Sequence, residues 1–89
     1  MNYSEALFQV EVVIKMLESC IQEDDSPIML TLMNRYSKAR DILNSNGDIN
    51  KIMILGSVRA YLDSYSDYGN PILNEMSKAE KLIKSIKNE

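Results

Sequence analysis

The sequence predicts an all-α protein, an up-down-up-down antiparallel four-helix bundle. Apolar residues recur at alternating spacings of three and four, which places them on one face of a helix. Ser26-Pro27 and Asn70-Pro71 each join a residue favoured at the N-cap to a proline suited to the first helical position. Gly47-Asp48 is a third break. The chain therefore divides into four helical segments, and their short connections require neighbouring helices to be antiparallel.

The first two segments, about residues 3 to 22 and 27 to 44, each carry a narrow apolar stripe. The stripes are Leu7, Val10, Ile14, Leu17 and Ile21 in the first segment and Met29, Leu32, Tyr36, Ala39 and Leu43 in the second. This spacing is typical of helices that lie nearly parallel to their neighbours. Gly47 is expected to take the left-handed conformation that ends the second helix, and Asp48 is expected to cap the third.

The third segment, about residues 49 to 66, has apolar residues around most of its helical circumference. They are Ile49, Ile52, Met53, Ile54, Leu55, Val58, Ala60, Tyr61, Leu62 and Tyr65. Such a helix is buried on several sides or covered by a partner. Gly56 in its middle indicates either the close approach of another helix or a glycine tolerated without special packing. The breadth of this surface keeps open an alternative architecture, helical hairpins that complete a bundle by dimerisation.

The fourth segment, about residues 71 to 87, returns to a single stripe. Its apolar residues are Ile72, Met76, Ala79, Ile83 and Ile86. Its other face carries Lys78, Lys81, Lys84 and Lys87. We interpret this lysine row as a solvated face, part of which could oppose glutamates of the first helix, its antiparallel neighbour in the predicted bundle.

Composition indicates one globular domain, residues 1–89, that works in the cytoplasm. The hydrophobic content of 45% and the few Gly and Pro residues are typical of a folded chain. Cys20 is the single cysteine, so no intramolecular disulfide forms, and with no histidine a zinc site of the usual kind is not expected. Glu5 and Glu11 interrupt the N-terminal apolar residues, and no run reaches the roughly 20 residues that span a bilayer.

Charge argues against nucleic acid as a partner. The formal net charge is −3, whereas proteins that bind phosphate backbones do so through clustered Lys and Arg. The negative charge lies mainly in residues 1 to 25, which contain six carboxylate side chains and one basic side chain, Lys15. The electrostatic field of an acidic chain attracts basic proteins and speeds their encounter with it, so a basic protein partner is expected.

The stretch from residue 59 to residue 71 is the candidate partner-binding site. Helical spacing at the end of the third segment places its polar and aromatic residues in two stripes that lie side by side. The candidate residues are Arg59, Asp63 and Asp67 in one stripe and Tyr61, Tyr65 and Tyr68 in the other. Tyr and Arg are the residues that most often anchor protein interfaces. The competing interpretation is structural, with the tyrosine rings in the core, their hydroxyls reaching water, and Arg59 paired with Asp63.

The same stretch gives little support to catalysis or metal binding. Asp63 and Asp67 could each offer an oxygen ligand, but no histidine accompanies them and no Glu-x-x-His pair is present. Cys20 has no neighbouring His or Lys to lower its pKa, which is typical of a thiol that packs in the core. No catalytic residue, metal ligand or cofactor is therefore expected.

By elimination, the sequence favours a small cytoplasmic, non-enzymatic protein-binding module. It would act as an inhibitor, an immunity-like or antitoxin-like factor or an adaptor, by occluding the surface of another protein. The alternative is a structural protein that forms a homodimer or larger homo-oligomer through its third segment. No nucleic acid and no membrane is expected among the partners.

Overall fold

A computed structural model of the chain describes residues 3–23, 26–65 and 69–88. Within these residues the regular structure is helical throughout. It comprises α1 (Ser4–Glu23), α2 (Pro27–Asn44), a short 3-10 helix (Ile49–Lys51), α3 (Ser57–Ser64) and α4 (Ile72–Lys87). The longest molecular dimension, 36 Å, is close to the roughly 30 Å length of a 20-residue helix. The long helices therefore lie along the molecular axis.

The helices form the predicted four-helix bundle. α1 packs along both α2 and α4, and α3 contacts α2 and α4. All five residues of the predicted α2 stripe are buried, as are four of the five predicted on α4, where Ile86 is partly buried. In α1, Leu7 and Ile21 lie at the edge of the core. The chain closes an apolar core by itself, so a dimer of hairpins is not needed to bury these stripes.

The third segment differs from the prediction of one helix over residues 49 to 66. After the 3-10 helix the chain has no regular secondary structure from residue 52 to residue 54, with Ile52 in extended backbone, and α3 begins only at Ser57. Ile52 and Ile54 are buried, whereas Met53 and Leu55 are exposed. This alternation has the period of two of an extended chain. On a helical wheel the apolar residues of this segment cover all sides, but residues 52 to 56 are not helical.

Gly56 lies at the break rather than inside a helix. Its φ of +89° and ψ of 1° are in the left-handed region that favours glycine, and it directly precedes α3. A Cβ atom added there would meet nothing within 4 Å, so close approach of another helix is not the reason for this glycine. The reason is the backbone conformation that starts α3.

Two of the predicted turn residues do as expected and two do not. Asn70 accepts a hydrogen bond through its Oδ1 atom from the amide of Ile72, the first residue of α4, 3.0 Å away, although the N-cap position is occupied by Pro71. Asp48 accepts one from the Asn50 amide, also at 3.0 Å, although it caps the 3-10 helix. Ser26 is the N-cap of α2 by position, but its side chain makes no capping hydrogen bond.

Gly47, at the end of α2, is the other turn residue that does not behave as predicted. The residue with positive φ is Asn46, at 53°, and not Gly47. Asparagine tolerates the left-handed region better than most residues with a Cβ atom, so it can take this position. Gly47 instead donates its amide to the carbonyl oxygen of Ile42 at 2.8 Å, which closes the turn.

Candidate protein-binding surface

The predicted partner-binding residues are divided between the core and the surface. Arg59 and Asp63, both on α3, are exposed. Within the described residues no ion pair joins them. Asp67 and Tyr68 lie outside the residues that the structure describes. Because α3 ends at Ser64, the helical stripe that would align residue 59 with residue 67 is not continued beyond that point.

Tyr61 belongs to the core. Only 2% of its surface is exposed, and its hydroxyl accepts a hydrogen bond from the Asn70 side-chain amide at 3.1 Å. Asn70 also accepts a hydrogen bond from the first amide of α4, so Tyr61 holds the start of α4 against the end of α3. The burial of Tyr61 therefore supports the structural interpretation, in which its ring lies in the core. Its hydroxyl bonds to Asn70 instead of reaching water.

Tyr65 is half-buried and joins the end of α3 to the start of α2. Its ring lies 5.1 Å from the ring of Tyr61, centroid to centroid, at an angle of 35°. Its hydroxyl forms a hydrogen bond with the hydroxyl of Ser26, at the start of α2. Both groups that could anchor a partner, the ring and the hydroxyl, already make contacts within the chain. Partner binding through Arg59, Asp63 and Tyr65 remains a prediction.

A different surface exposes the chain's one phenylalanine. Phe8 on α1 is 69% exposed and lines a groove of about 310 Å³ between α1 and α4. The groove is lined by Glu5, Phe8, Gln9, Lys78, Lys81 and Leu82. Burying a phenylalanine side chain contributes about 1.5–3 kcal/mol, so leaving it in water forgoes a large part of that stabilisation. An aromatic side chain beside a groove is a common feature of binding sites.

A second groove lies on the other side of α4. Its volume is about 340 Å³, and it is lined by Leu55, Ser77, Glu80, Lys81 and Lys84. Lys81 borders both grooves, so they flank one ridge of α4. We call this surface the α4 outer face and define it by Phe8, Leu55, Lys78, Lys81, Lys84 and Leu82.

The carboxylates next to the α4 outer face are held by contacts within the chain. The side-chain amide of Gln9 donates to the Glu75 carboxylate at 2.9 Å, and Lys78 lies 3.4 Å from the same group. The hydrogen bond from Gln9, followed by the nearby Lys78, lowers the pKa of Glu75. Glu80 accepts hydrogen bonds from the amides of Gly56 at 3.0 Å and Val58 at 2.9 Å, and these amides point outwards at the start of α3.

The lysines of α4 consequently differ in their contacts. Lys87 donates to the carbonyl oxygen of Ile52 at 2.8 Å and so fastens the extended segment to α4. Lys78 is paired with Glu75. Lys81 and Lys84 are exposed and form no ion pair within the described part of the chain. The predicted lysine row thus contains one structural lysine, one lysine paired with Glu75 of α4 itself, and two exposed cations.

Neither a metal-holding cluster nor a membrane-spanning helix is found within residues 3–23, 26–65 and 69–88. No group of three or more His, Cys, Asp or Glu side chains there is arranged to hold a metal ion. Tyr36 is fully buried, and burial, followed by the nearby charge of Glu80, raises the pKa of its phenol, which stays neutral. None of the helices in these ranges is both long and apolar enough to cross a bilayer.

Comparison with known proteins places the chain in a family. The family described as YeeD uncharacterised protein matches residues 2–89. The chain belongs to the YeeD family. A relative from Bacillus subtilis (strain 168), "Uncharacterized protein YeeD", is 33% identical to this YeeD-family chain over 88 residues, which cover 90% of this chain and 87% of the relative. No solved structure matches the chain.

The sequence analysis of this YeeD-family chain missed Phe8, although a signal was present. Phe8 is adjacent to Leu7, a member of the α1 stripe, but is not itself part of that stripe. A large aromatic residue on the polar side of an amphipathic helix is unusual for a residue that serves only the core. That position, considered together with the α4 lysines, would have indicated the α4 outer face.

Proposed function

We propose that this YeeD-family protein is a small cytoplasmic, non-enzymatic module that binds another protein. The observation that carries the proposal is the 69% exposure of Phe8 at the edge of the groove between α1 and α4. Interface anchors are typically aromatic side chains that enter or border a pocket and lose water when the partner docks. The single cysteine supports a reducing compartment.

The mechanism proposed is occlusion. α1 and α4 pack against each other along the bundle, so the groove between them is a preformed surface that loses little conformational entropy on binding. A partner seated on it would have its own working surface covered. Inhibitors, immunity-like or antitoxin-like factors and adaptors act in this way, and the proposal covers these roles.

The test is co-purification from the native host with matched surface variants. Tagged wild type, Phe8→Gln and Leu30→Gln are compared, because Leu30 is also exposed, at 51%, but lies on α2. We expect a partner that wild type and Leu30→Gln retain and that Phe8→Gln loses. A double variant, Arg59→Gln with Asp63→Asn, examines the predicted α3 residues in the same experiment.

Two results would overturn the proposal. One is that no protein is retained by the wild type above the level of a tag-only control. The other is that Phe8→Gln, Leu30→Gln and the α3 double variant all retain the same proteins as the wild type. Loss of the partner in the α3 double variant alone would keep the protein-binding function but move its site to α3. Adding the purified partner and measuring its own activity would then separate an inhibitor from an adaptor.

A second candidate function, structural self-association, is favoured by the segment before α3. Met53 is 67% exposed and Leu55 is 42% exposed, so this segment presents two apolar side chains to solvent. The expectation is a molar mass by light scattering that is a multiple of 10.2 kDa and that falls to one chain in a Met53→Ser, Leu55→Ser double variant. A wild type that stays monomeric at high concentration would exclude this function.

A further inference from the structure

The segment that joins the 3-10 helix to α3 lies on one side of a unit formed by the three long helices. Within the described residues α1 packs against α2 and α4, but it contacts neither the 3-10 helix nor α3. We call residues 48–57 the strap, which runs from the cap of the 3-10 helix to the first residue of α3. Moving the strap therefore separates α1 from neither of its two neighbours.

Two side chains of α4 fasten the strap. Lys87 donates to the carbonyl oxygen of Ile52 at 2.8 Å, and Glu80 accepts a hydrogen bond from the amide of Gly56 at 3.0 Å. The first contact is only partly buried and the second is exposed, so water competes for both. Beyond the strap, Tyr61 is buried and anchors α3 in the core. The strap is thus held by polar contacts near the surface, whereas α3 is held by its packing.

The apolar residues of the strap point to both sides. Ile52 and Ile54 are fully buried, whereas Met53 and Leu55 are exposed. Burial of the two isoleucines stabilises the closed position of the strap. Opening would bring all four of these consecutive apolar residues to solvent, so the open strap would present an apolar run that the closed strap divides between core and surface.

Two buried hydroxyl groups oppose the closed position. Ser57 and Tyr36 are fully buried, and neither hydroxyl has a hydrogen-bond partner among the described residues. A buried hydroxyl without a partner loses the hydrogen bonds that water would make with it, which is unfavourable. Tyr36 lies near the strap, because the Glu80 carboxylate that accepts the amides of Gly56 and Val58 also acts on the Tyr36 phenol. Opening returns the Ser57 hydroxyl to water.

We propose that the strap is a conformational device that opens as one unit while α1, α2 and α4 stay packed, and that opening exposes Ile52 and Ile54. Segments with few buried side chains and with hydrogen bonds near the surface open at a lower free energy than the whole protein. The opening is a property of this chain alone. It therefore goes beyond the proposed binding of a partner and does not depend on it.

Native-state hydrogen exchange tests the opening, with each amide followed by NMR in urea below the unfolding transition. The Ile52 amide donates to Ile49 at 3.0 Å, and the Ser57 amide donates to Ile54 at 3.1 Å, so both report on the strap. Val13, in the middle of α1, reports on global unfolding. We expect opening constants for the strap amides at least about tenfold larger than for Val13. Their slopes against urea should equal each other and be smaller than the slope for Val13, but not zero.

A variant at one end of the strap tests whether it moves as a unit. Lys87→Met removes the fastening at Ile52 and is expected to raise the opening constant about fivefold at Ser57 as well, because both ends open together. Lys38→Met makes the same change at an exposed position on α2 and should leave the opening constants within about twofold. Circular dichroism of both variants checks that the helices are intact.

Variants of the buried hydroxyls should act in the opposite direction. Ser57→Ala and Tyr36→Phe each remove a hydroxyl without a partner and keep most of the side-chain volume, so each is expected to lower the opening constant about fivefold. Ser85→Ala, at an exposed position on α4, is the control and should leave it within about twofold. A rise in both Ser57→Ala and Tyr36→Phe would refute the opposing role of the hydroxyls.

Three other results would overturn the inference. Equal opening constants and slopes for the strap amides and Val13 would show that the strap opens only when the whole protein unfolds. A slope of zero at Ile52 and Ser57 would indicate fluctuations of single amides that expose no apolar side chain. An effect of Lys87→Met at Ile52 that does not reach Ser57 would show that the strap is not one unit. Co-purification of a partner is unaffected by any of these results, so the two proposals fail separately.

Discussion

The carboxylate of Glu80 on α4 accepts a hydrogen bond from the amide of Gly56, 3.0 Å away, at the entrance of α3. The other carboxylate oxygen accepts one from Val58 at 2.9 Å. The first amides of a helix have no partner inside the helix, and a negative charge beside them is favourable. A side chain 24 positions along the chain therefore supplies the cap that the residues next to α3 do not.

Glu80→Gln should destabilise the protein by about 1–2 kcal/mol, because the neutral side chain keeps one acceptor oxygen for two amides and loses the charge. The free energy of unfolding is measured in urea by circular dichroism. Glu11→Gln is the matched control, since Glu11 is exposed on α1 and its substitution is expected to change stability by less than about 0.5 kcal/mol. Equal stability of the two variants would show that Glu80 does not cap α3.

Gly56→Ala isolates the backbone conformation at the same entrance. The new methyl group would meet nothing within 4 Å, so any loss comes from placing a residue with a Cβ atom at a φ of +89°. A destabilisation of about 1–2 kcal/mol is expected, and Gly56→Asn should lose less because asparagine tolerates this region.

Gly47→Ala is the control for this prediction. Its added methyl would make ordinary contacts at 3.5 Å with the Ile42 and Ser45 side chains, and its φ is not positive. The variant should be neutral or gain about 0.4–1 kcal/mol, because alanine restricts the unfolded chain. A loss at Gly47 as large as the loss at Gly56 would refute the conformational explanation.

The fold could be predicted from the sequence where one periodicity applies throughout a segment. All five stripe residues of α2 are buried, because a continuous helix keeps its side chains in phase with the core. The prediction of one helix over the third segment was wrong because the periodicity changes within that segment. Residues 52 to 55 alternate between buried and exposed with a period of two, and a helical wheel spreads such residues around the whole circumference.

The candidate site was harder to predict because it depends on contacts distant in sequence. The tyrosine stripe assumed a helix through residue 68, but Tyr65 has a φ of −132° and a ψ of 139°, which is extended backbone. Its hydroxyl is bound by Ser26, 39 positions away. Likewise, only the packing of α1 on α4 brings Phe8 beside Lys81. No local pattern contains either pairing.

The contact between Gln9 and Glu75 predicts a pH dependence of stability. Gln9 is nearly buried, and its amide donates to both the carbonyl oxygen and the carboxylate of Glu75, at 3.0 and 2.9 Å. This bond lowers the pKa of Glu75 in the folded state. A carboxyl group with a lowered folded pKa stabilises the protein above its unfolded pKa, and that stabilisation is lost as the pH falls through the folded pKa.

Gln9→Leu should therefore lower the urea midpoint at about pH 7, and the difference from wild type should shrink at about pH 3, below the ordinary glutamate pKa of about 4.3. Gln22→Leu, at an exposed position on the same helix, is the control and should show no such pH-dependent difference. If the gap between wild type and Gln9→Leu is the same at both pH values, the contact does not act through ionised Glu75.

Tyr65 distinguishes a structural role from the predicted interface role. Tyr65→Phe keeps the ring against Tyr61 and removes only the hydroxyl that bonds to Ser26, so a loss of about 1 kcal/mol is expected. Tyr65→Ala also removes the ring and should lose about 2–3 kcal/mol, less than a fully buried aromatic residue because Tyr65 is half-buried. Tyr3→Phe is the control, since the Tyr3 hydroxyl makes no hydrogen bond within the described residues.

Both substitutions are then assayed for partner capture under conditions where they remain folded. A structural Tyr65 predicts that Tyr65→Phe captures the partner as well as wild type does, because its hydroxyl is occupied within the chain and the proposed binding is through Phe8. The opposite pattern, an unchanged free energy of unfolding for Tyr65→Ala with capture abolished, would return the interface to the α3 end of the bundle. The two measurements move in opposite directions under the two roles, so one pair of variants decides between them.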